Sequence, residues 1–245
     1  ETLKVGISQR KYRATRFEDN FKLICEDIDR AVEQGVKRLI FPELTIPGYM
    51  SLDLFKNPAY IEKNLDFLKK VIAYTQDKDV VVIVGYARPG ERKANGSFDL
   101  YNSAAIIRNG IVLDTVDKTL LPAGDIFWER RYFKNGDSIH VTEIDGEKEG
   151  VLICEDLWDQ DHSRRVAGEL RQKGAQRLWA LNASPYHRGK GDTRHQLLSS
   201  KAETLGVPLA YANLVGAQDG YHGEILFDGR SMIFDGQGQL TGLGE

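Results

Sequence analysis

The 245-residue sequence has only two cysteines, Cys25 and Cys154. Two cannot build a disulfide framework or a cysteine metal cluster, so the fold must rest on its core. No apolar run approaches the roughly 20 residues of a membrane-spanning helix. The start, "ETLKVGISQRK", lacks the apolar stretch of a secretory signal. A basic excess is also missing. With 33 basic and 36 acidic residues the net charge is −3, so nothing in the composition would hold a nucleic acid. These absences leave a soluble chain in a reducing, cytoplasmic setting as the expectation. The end, "MIFDGQGQLTGLGE", has no capping element after its strand-like run and is expected to continue into a further domain.

What is present is alternation. Apolar residues at Phe17, Phe21, Ile24, Ile28, Ala31 and Val32 have helical spacing, closed by Gly35. A second amphipathic helix is expected over 58–76, and further helices near 163–173 and 191–205. Strands are expected over 3–9, 36–44, 79–89, 176–184 and 207–216, with "EILFDGRSMIFDGQG" closing the chain. Two strands should flank the Asn109-Gly110 turn in 100–118, and two more the "DGEKEG" turn. Hairpins between helix–strand units predict mixed sheets with helices on their outer faces. No linker interrupts the pattern, so residues 1–245 read as one domain.

Three strand ends carry an ionisable residue: Glu43 in "LIFPEL", Lys118 in "VDKTLLP" and Cys154 in "VLICEDLW". Strand ends beside loops are where a scaffold presents catalytic groups. Taken singly, each has a structural alternative. Glu43 fits a helix cap, Lys118 a solvated lysine, and Cys154 a small buried hydrophobe; Cys25 fits simple helix packing. Together they suit one reaction. A thiol attacking an amide needs a base, and a desolvated carboxylate serves. The resulting oxyanion needs donors, and an ammonium with the backbone N–H of Glu155 supplies them. The lysine also offsets the negative field of Glu155 and Asp156 beside the thiol. None of the five histidines is required, and His187 reads as a loop residue.

In this order the motifs resemble the carbon–nitrogen hydrolase (nitrilase) superfamily, over nearly the whole chain from "VGISQ" to "MIFDGQG". "FPELTIPGY", "FWERRYF", "CEDLW", "NASPYHRGK" and "FDGRSMIFD" are most similar to the glutaminase domain of glutamine-dependent NAD synthetases. The resemblance implies an α/β fold, a four-layer αββα sandwich of two mixed sheets. It implies hydrolysis of the glutamine side-chain amide through a cysteine thioester, with the ammonia passed to a synthetase domain that makes NAD from its deamido precursor. Glu43 is then the base, Lys118 the oxyanion donor and Cys154 the nucleophile. Glu129 is the carboxylate that positions the lysine, and Ser184 and Lys190 hold the amino-acid end of glutamine. No metal and no cofactor is implied for this domain; ATP and Mg belong to the synthetase domain, whose "SGGxDS" loop this chain does not contain. Homo-oligomers are the family's habit.

One departure stands out. Where the family carries a tyrosine two residues after the proline of "KTLLP", this chain has Gly124. Tyr186, Tyr221 or Phe127 is expected to fill that space. Gly124 also favours an alternative, a free-standing amidase or carbamoylase of the same superfamily. A catalytically silent scaffold or ammonia-channel subunit is a third possibility, which the intact Glu-Lys-Cys set disfavours.

Overall fold

The computed structural model describes residues 2–122 and 128–244. The amphipathic patterns become α1 (Phe17–Glu33), α2 (Pro58–Tyr74), α3 (Val166–Gln172) and α4 (Lys190–Leu205). Asn57 caps α2 by accepting the Ala59 N–H, with Pro58 at the first helical position, where its missing N–H costs nothing.

Two mixed sheets form. The first runs β1 (Val5–Ile7), β2 (Arg38–Ile40), β3 (Val81–Arg92), β4 (Phe98–Arg108), β5 (Ile111–Asp117) in spatial order. Its first three strands are parallel, and β4 and β5 add antiparallel through hairpins. Asn109 and Gly110 both adopt positive φ at the β4–β5 turn, as the sequence pattern requires. The second sheet is built from β6 (Thr142–Ile144), β7 (Glu147–Ile153), β8 (Arg177–Asn182), β9 (Leu209–Asn213), β12 (Met232–Phe234) and β13 (Leu240–Leu243). Here β7, β8 and β9 are parallel. The strands β10 (Val215–Gly220) and β11 (Gly223–Asp228) form a separate hairpin.

Strand parity assigns each residue to a layer. Ile40, Val81, Ile83, Ala104, Ile106 and Val116 of the first sheet meet Val151, Ile153, Trp179, Leu181, Ala210 and Ala212 of the second. The opposite face of the first sheet packs on α1 and α2 through residues such as Ile28, Val71, Val82 and Ile107. The outer face of the second packs on α3 and α4 through Leu152, Leu170, Leu198 and Tyr211. The result is the expected αββα sandwich.

A buried ion pair crosses the sandwich. Arg38 of β2 donates through Nε and Nη2 to Glu149 of β7, at 2.8–3.1 Å, and Trp179 Nε1 donates to the same carboxylate at 2.7 Å. Removing Glu149 leaves the buried Arg38 guanidinium with, as counter-charge, only the longer contact to the exposed Asp145 carboxylate, at 3.3 Å. Glu149→Ala is therefore expected to cost about 3–5 kcal/mol, read as a lower urea midpoint. Replacing Arg38 and Glu149 together with methionine or leucine is expected to cost far less. An unchanged midpoint in the single variant would contradict the pairing's role.

Candidate active site

The site lies at one end of the sandwich, beyond the C-terminal ends of β2, β5 and β7. Its convergence follows from register. In the antiparallel β4–β5 ladder, Ala104 faces Val116, and the next same-face positions are Asn102 and Lys118. The Lys118 N–H donates to the Asn102 carbonyl at 2.8 Å. Both side chains thus point between the sheets, where Glu43 arrives from the turn after β2. That turn presses against β3 at Gly85, where a Cβ would stand 2.4 Å from the Leu44 nitrogen and 2.8 Å from the Pro42 oxygen. Only glycine admits the turn this close.

Lys118 Nζ donates to Glu43 Oε1 at 2.7 Å and to Glu129 Oε1 and Oε2 at 2.8 and 2.9 Å. The Lys118 and Glu43 side chains are wholly buried and Glu129 is nearly so. Tyr49 Oη donates to Glu129 Oε1 at 2.7 Å. Glu43 also accepts from Asn102 Nδ2 on Oε1 at 2.7 Å and from the Ala183 N–H on Oε2 at 3.0 Å. These contacts set aside the two bland alternatives. Lys118 is not solvated, and no α-helix begins at Glu43.

Cys154 opens a short 3₁₀ turn, Cys154–Leu157, at the end of β7, with φ of 44°. A left-handed φ at a non-glycine residue costs energy and marks a position held by its surroundings. Asp156 does much of the holding. Its buried carboxylate accepts the N–H of Ile153 at 3.0 Å, and those of Thr119 and Leu120 at 3.1 and 2.8 Å. One residue therefore ties the cysteine turn to the loop after Lys118. Burial pushes the Asp156 carboxyl up to about 7, against these donors.

The electrostatics fit a thiol that needs a base. Burial pushes the Cys154 thiol well up, and the Glu43 charge adds to this, while Lys118 acts in the opposite sense. Burial also raises Glu43 to about 7, against the Lys118 charge. For Lys118, burial opposes the charged form, but Glu129 and Glu43 outweigh it and hold the ammonium. A neutral thiol, a carboxylate poised near neutrality and a fixed cation form one electrostatic unit.

Ser184 and Lys190 lie along the same end. Ser184 is buried, with its N–H on Asn213 Oδ1 at 2.9 Å and its hydroxyl accepting from Arg194 Nη2 at 3.2 Å. Lys190 Nζ sits 4.1 Å from the centre of the Trp158 ring. Burial lowers its pKa, and the Cys154 charge pulls the other way. The Glu155 side chain turns aside to His162 Nε2 at 3.0 Å. Gly124 and Phe127 lie outside the described residues. Tyr221 donates to Asp53 at 3.1 Å and meets Trp128 edge-on, and Tyr186 is exposed.

Sequence reasoning gave no role to Asn102 and Tyr49, which touch this cluster, or to Arg194, which holds Ser184, and read Asp156 only as negative charge beside the thiol. For Asn102 the signal was a polar residue inside the apolar stretch "LYNSAAII". Among the described residues, no group of three or more His, Cys, Asp or Glu could hold a metal ion. No helix among them is long and apolar enough to cross a membrane.

The carbon–nitrogen hydrolase family profile matches residues 4–244. The chain is 36% identical over 245 residues to a glutamine-dependent NAD(+) synthetase of Thermotoga maritima, covering 99% of this chain and 40% of that protein. The chain thus spans about two fifths of the length of this relative. A solved glutamine-dependent NAD+ synthetase from Acinetobacter baumannii superposes with a TM-score of 0.86 at 33% identity, over 100% of this chain and 43% of that one. An amidase from Nesterenkonia, at 22% identity and a TM-score of 0.85, shares the fold over 99% of this chain and 89% of its own.

Proposed function

The chain belongs to the carbon–nitrogen hydrolase family, and from that premise we propose that it hydrolyses the side-chain amide of glutamine and supplies ammonia for NAD synthesis. The observation that carries the reading is the buried Glu43–Lys118–Glu129 cluster beside the Cys154 thiol. The likeness to NAD synthetases over essentially the whole chain supports the substrate.

In this mechanism Cys154 Sγ attacks the amide carbon while its proton passes to Glu43. Lys118 and the Glu155 N–H hold the oxyanion. Glu43 returns the proton to the leaving nitrogen, and ammonia departs from a γ-glutamyl thioester. Water then attacks the thioester carbon while Glu43 takes its proton; the C–S bond breaks, Glu43 returns the proton to the Cys154 sulfur, and glutamate is released. Glu129 and Tyr49 fix the lysine between the two carboxylates. Ser184 and Lys190 receive the polar end of the substrate. ATP and Mg act at a synthetase domain, carried on the same chain or a partner subunit, and the protein assembles as a homo-oligomer in the cytoplasm.

Gly124 favours a second reading, a free-standing amidase or carbamoylase. Ammonia release from glutamine, a short aliphatic amide and an N-carbamoyl amino acid separates the two. Glutamine is expected to lead, and its turnover to rise when ATP and deamido-NAD are added to the full-length protein. Preference for either other amide, unchanged by those additions, would move the assignment to the second reading.

A further inference from the structure

A carboxylate offers about four lone-pair sites on its two oxygens. On Glu43, Oε1 accepts from Lys118 Nζ and Asn102 Nδ2, both at 2.7 Å, and Oε2 accepts from the Ala183 N–H at 3.0 Å. Three sites are filled, and the fourth belongs to Oε2. Asn102 makes the difference between the two oxygens. Without it, each would have one open site.

Packing alone does not account for this asparagine. It is 1% exposed, on the interior face it shares with Ala104 and Ile106. Its own Oδ1 has no hydrogen-bond partner. An orphaned buried acceptor is costly, and an apolar side chain in that place would avoid it. The return is a donor aimed at the base.

We propose, resting on the assignment of Glu43 and Cys154 above, that Asn102 is a positioning residue for the base: its amide closes Oε1 and leaves Oε2 to receive the thiol proton. Among the described residues, four ionisable groups face Glu43. They are Lys118 at the end of β5, Glu129 in the turn Glu129–Arg131, Tyr49 in the 3₁₀ segment Tyr49–Lys56, and Cys154 after β7. Burial raises Glu43 and Glu129 adds to it, while Lys118 and the Asn102 hydrogen bond lower it. Deleting the Asn102 donor removes one of the lowering effects. The base then protonates at higher pH, and proton transfer from Cys154 fails sooner as pH falls.

The test is the pH dependence of Cys154 alkylation by iodoacetamide, followed by mass spectrometry of the Cys154 peptide, with glutamine hydrolysis measured alongside. Asn102→Ala is expected to move the acid limb of both profiles up by about one pH unit. At pH 7 that lowers kcat about fivefold with little change in KM. Asn102→Asp keeps the shape but sets a second carboxyl against Glu43, and is expected to move the limb further. A folded variant with the wild-type limb overturns the proposal, as does a fall in rate with no movement of the limb. Loss of fold in both variants also overturns it, since the residue would then be structural. Alkylation needs no amide substrate. A shifted alkylation limb without glutamine turnover would therefore retain the role of Asn102 and reject glutamine as substrate.

Discussion

Cys154→Ala is expected to abolish glutamine hydrolysis, a loss of about 10⁴-fold or more, while the protein stays folded. The fold should tolerate the change because the side chain is small and buried, and alanine fills most of its space. Alanine also keeps a Cβ at φ of 44°, so relief of backbone strain does not complicate the comparison. Chemistry should not survive, because the other cysteine is no substitute. Cys25 sits on α1, and burial, with help from the Asp29 charge, raises its thiol to about 11. Ammonia release and far-UV circular dichroism measure the two halves of the expectation. Rapidly quenched wild-type protein should carry a γ-glutamyl adduct on the Cys154 peptide. Turnover above about a hundredth of wild type in the variant, or an adduct on the Cys25 peptide, would remove Cys154 as the nucleophile.

The groups that sequence exposes are those that break an apolar strand at its end. Glu43, Lys118 and Cys154 each follow such a run; the structure brings the first two into direct contact with each other, and their charges act on the Cys154 thiol. The long helices and the Asn109-Gly110 turn were legible for local reasons, helical spacing and positive φ. What was hidden depends on which strands become neighbours. The run 36–44 reads as one strand, yet the ladder strand is only Arg38–Ile40. Pro42 has no N–H to donate, and the chain turns there towards Gly85. The run 207–216 also reads as one strand, but it divides at Leu214 into β9 and β10, which pair in different sheets. Alternation gives the face of a residue and not its sheet. Asn102 shows the same limit, since its meaning appears only once Lys118 lies opposite it and Glu43 reaches it from 59 residues away.

Lys118→Met should lower both activity and stability, and the two losses should be separable. The ammonium is wholly buried between Glu43 and Glu129, with contacts of 2.7 to 2.9 Å. Removing it leaves two carboxylates facing each other away from water. Breaking a buried pair in this way costs about 3–5 kcal/mol, reduced if one carboxyl takes up a proton. The urea midpoint should therefore fall. Catalysis should fall by about 10²-fold or more, the scale of losing an oxyanion donor. Glu129→Gln added to Lys118→Met removes one of the opposed charges, and its amide can still accept from Tyr49. The double variant should recover much of the midpoint and almost none of the turnover. The separation matters because in the proposed mechanism Glu129 acts only through the lysine, whereas Lys118 meets the developing oxyanion. Recovery of activity together with stability in the double variant would reduce Lys118 to a structural counter-ion and leave the oxyanion to other donors.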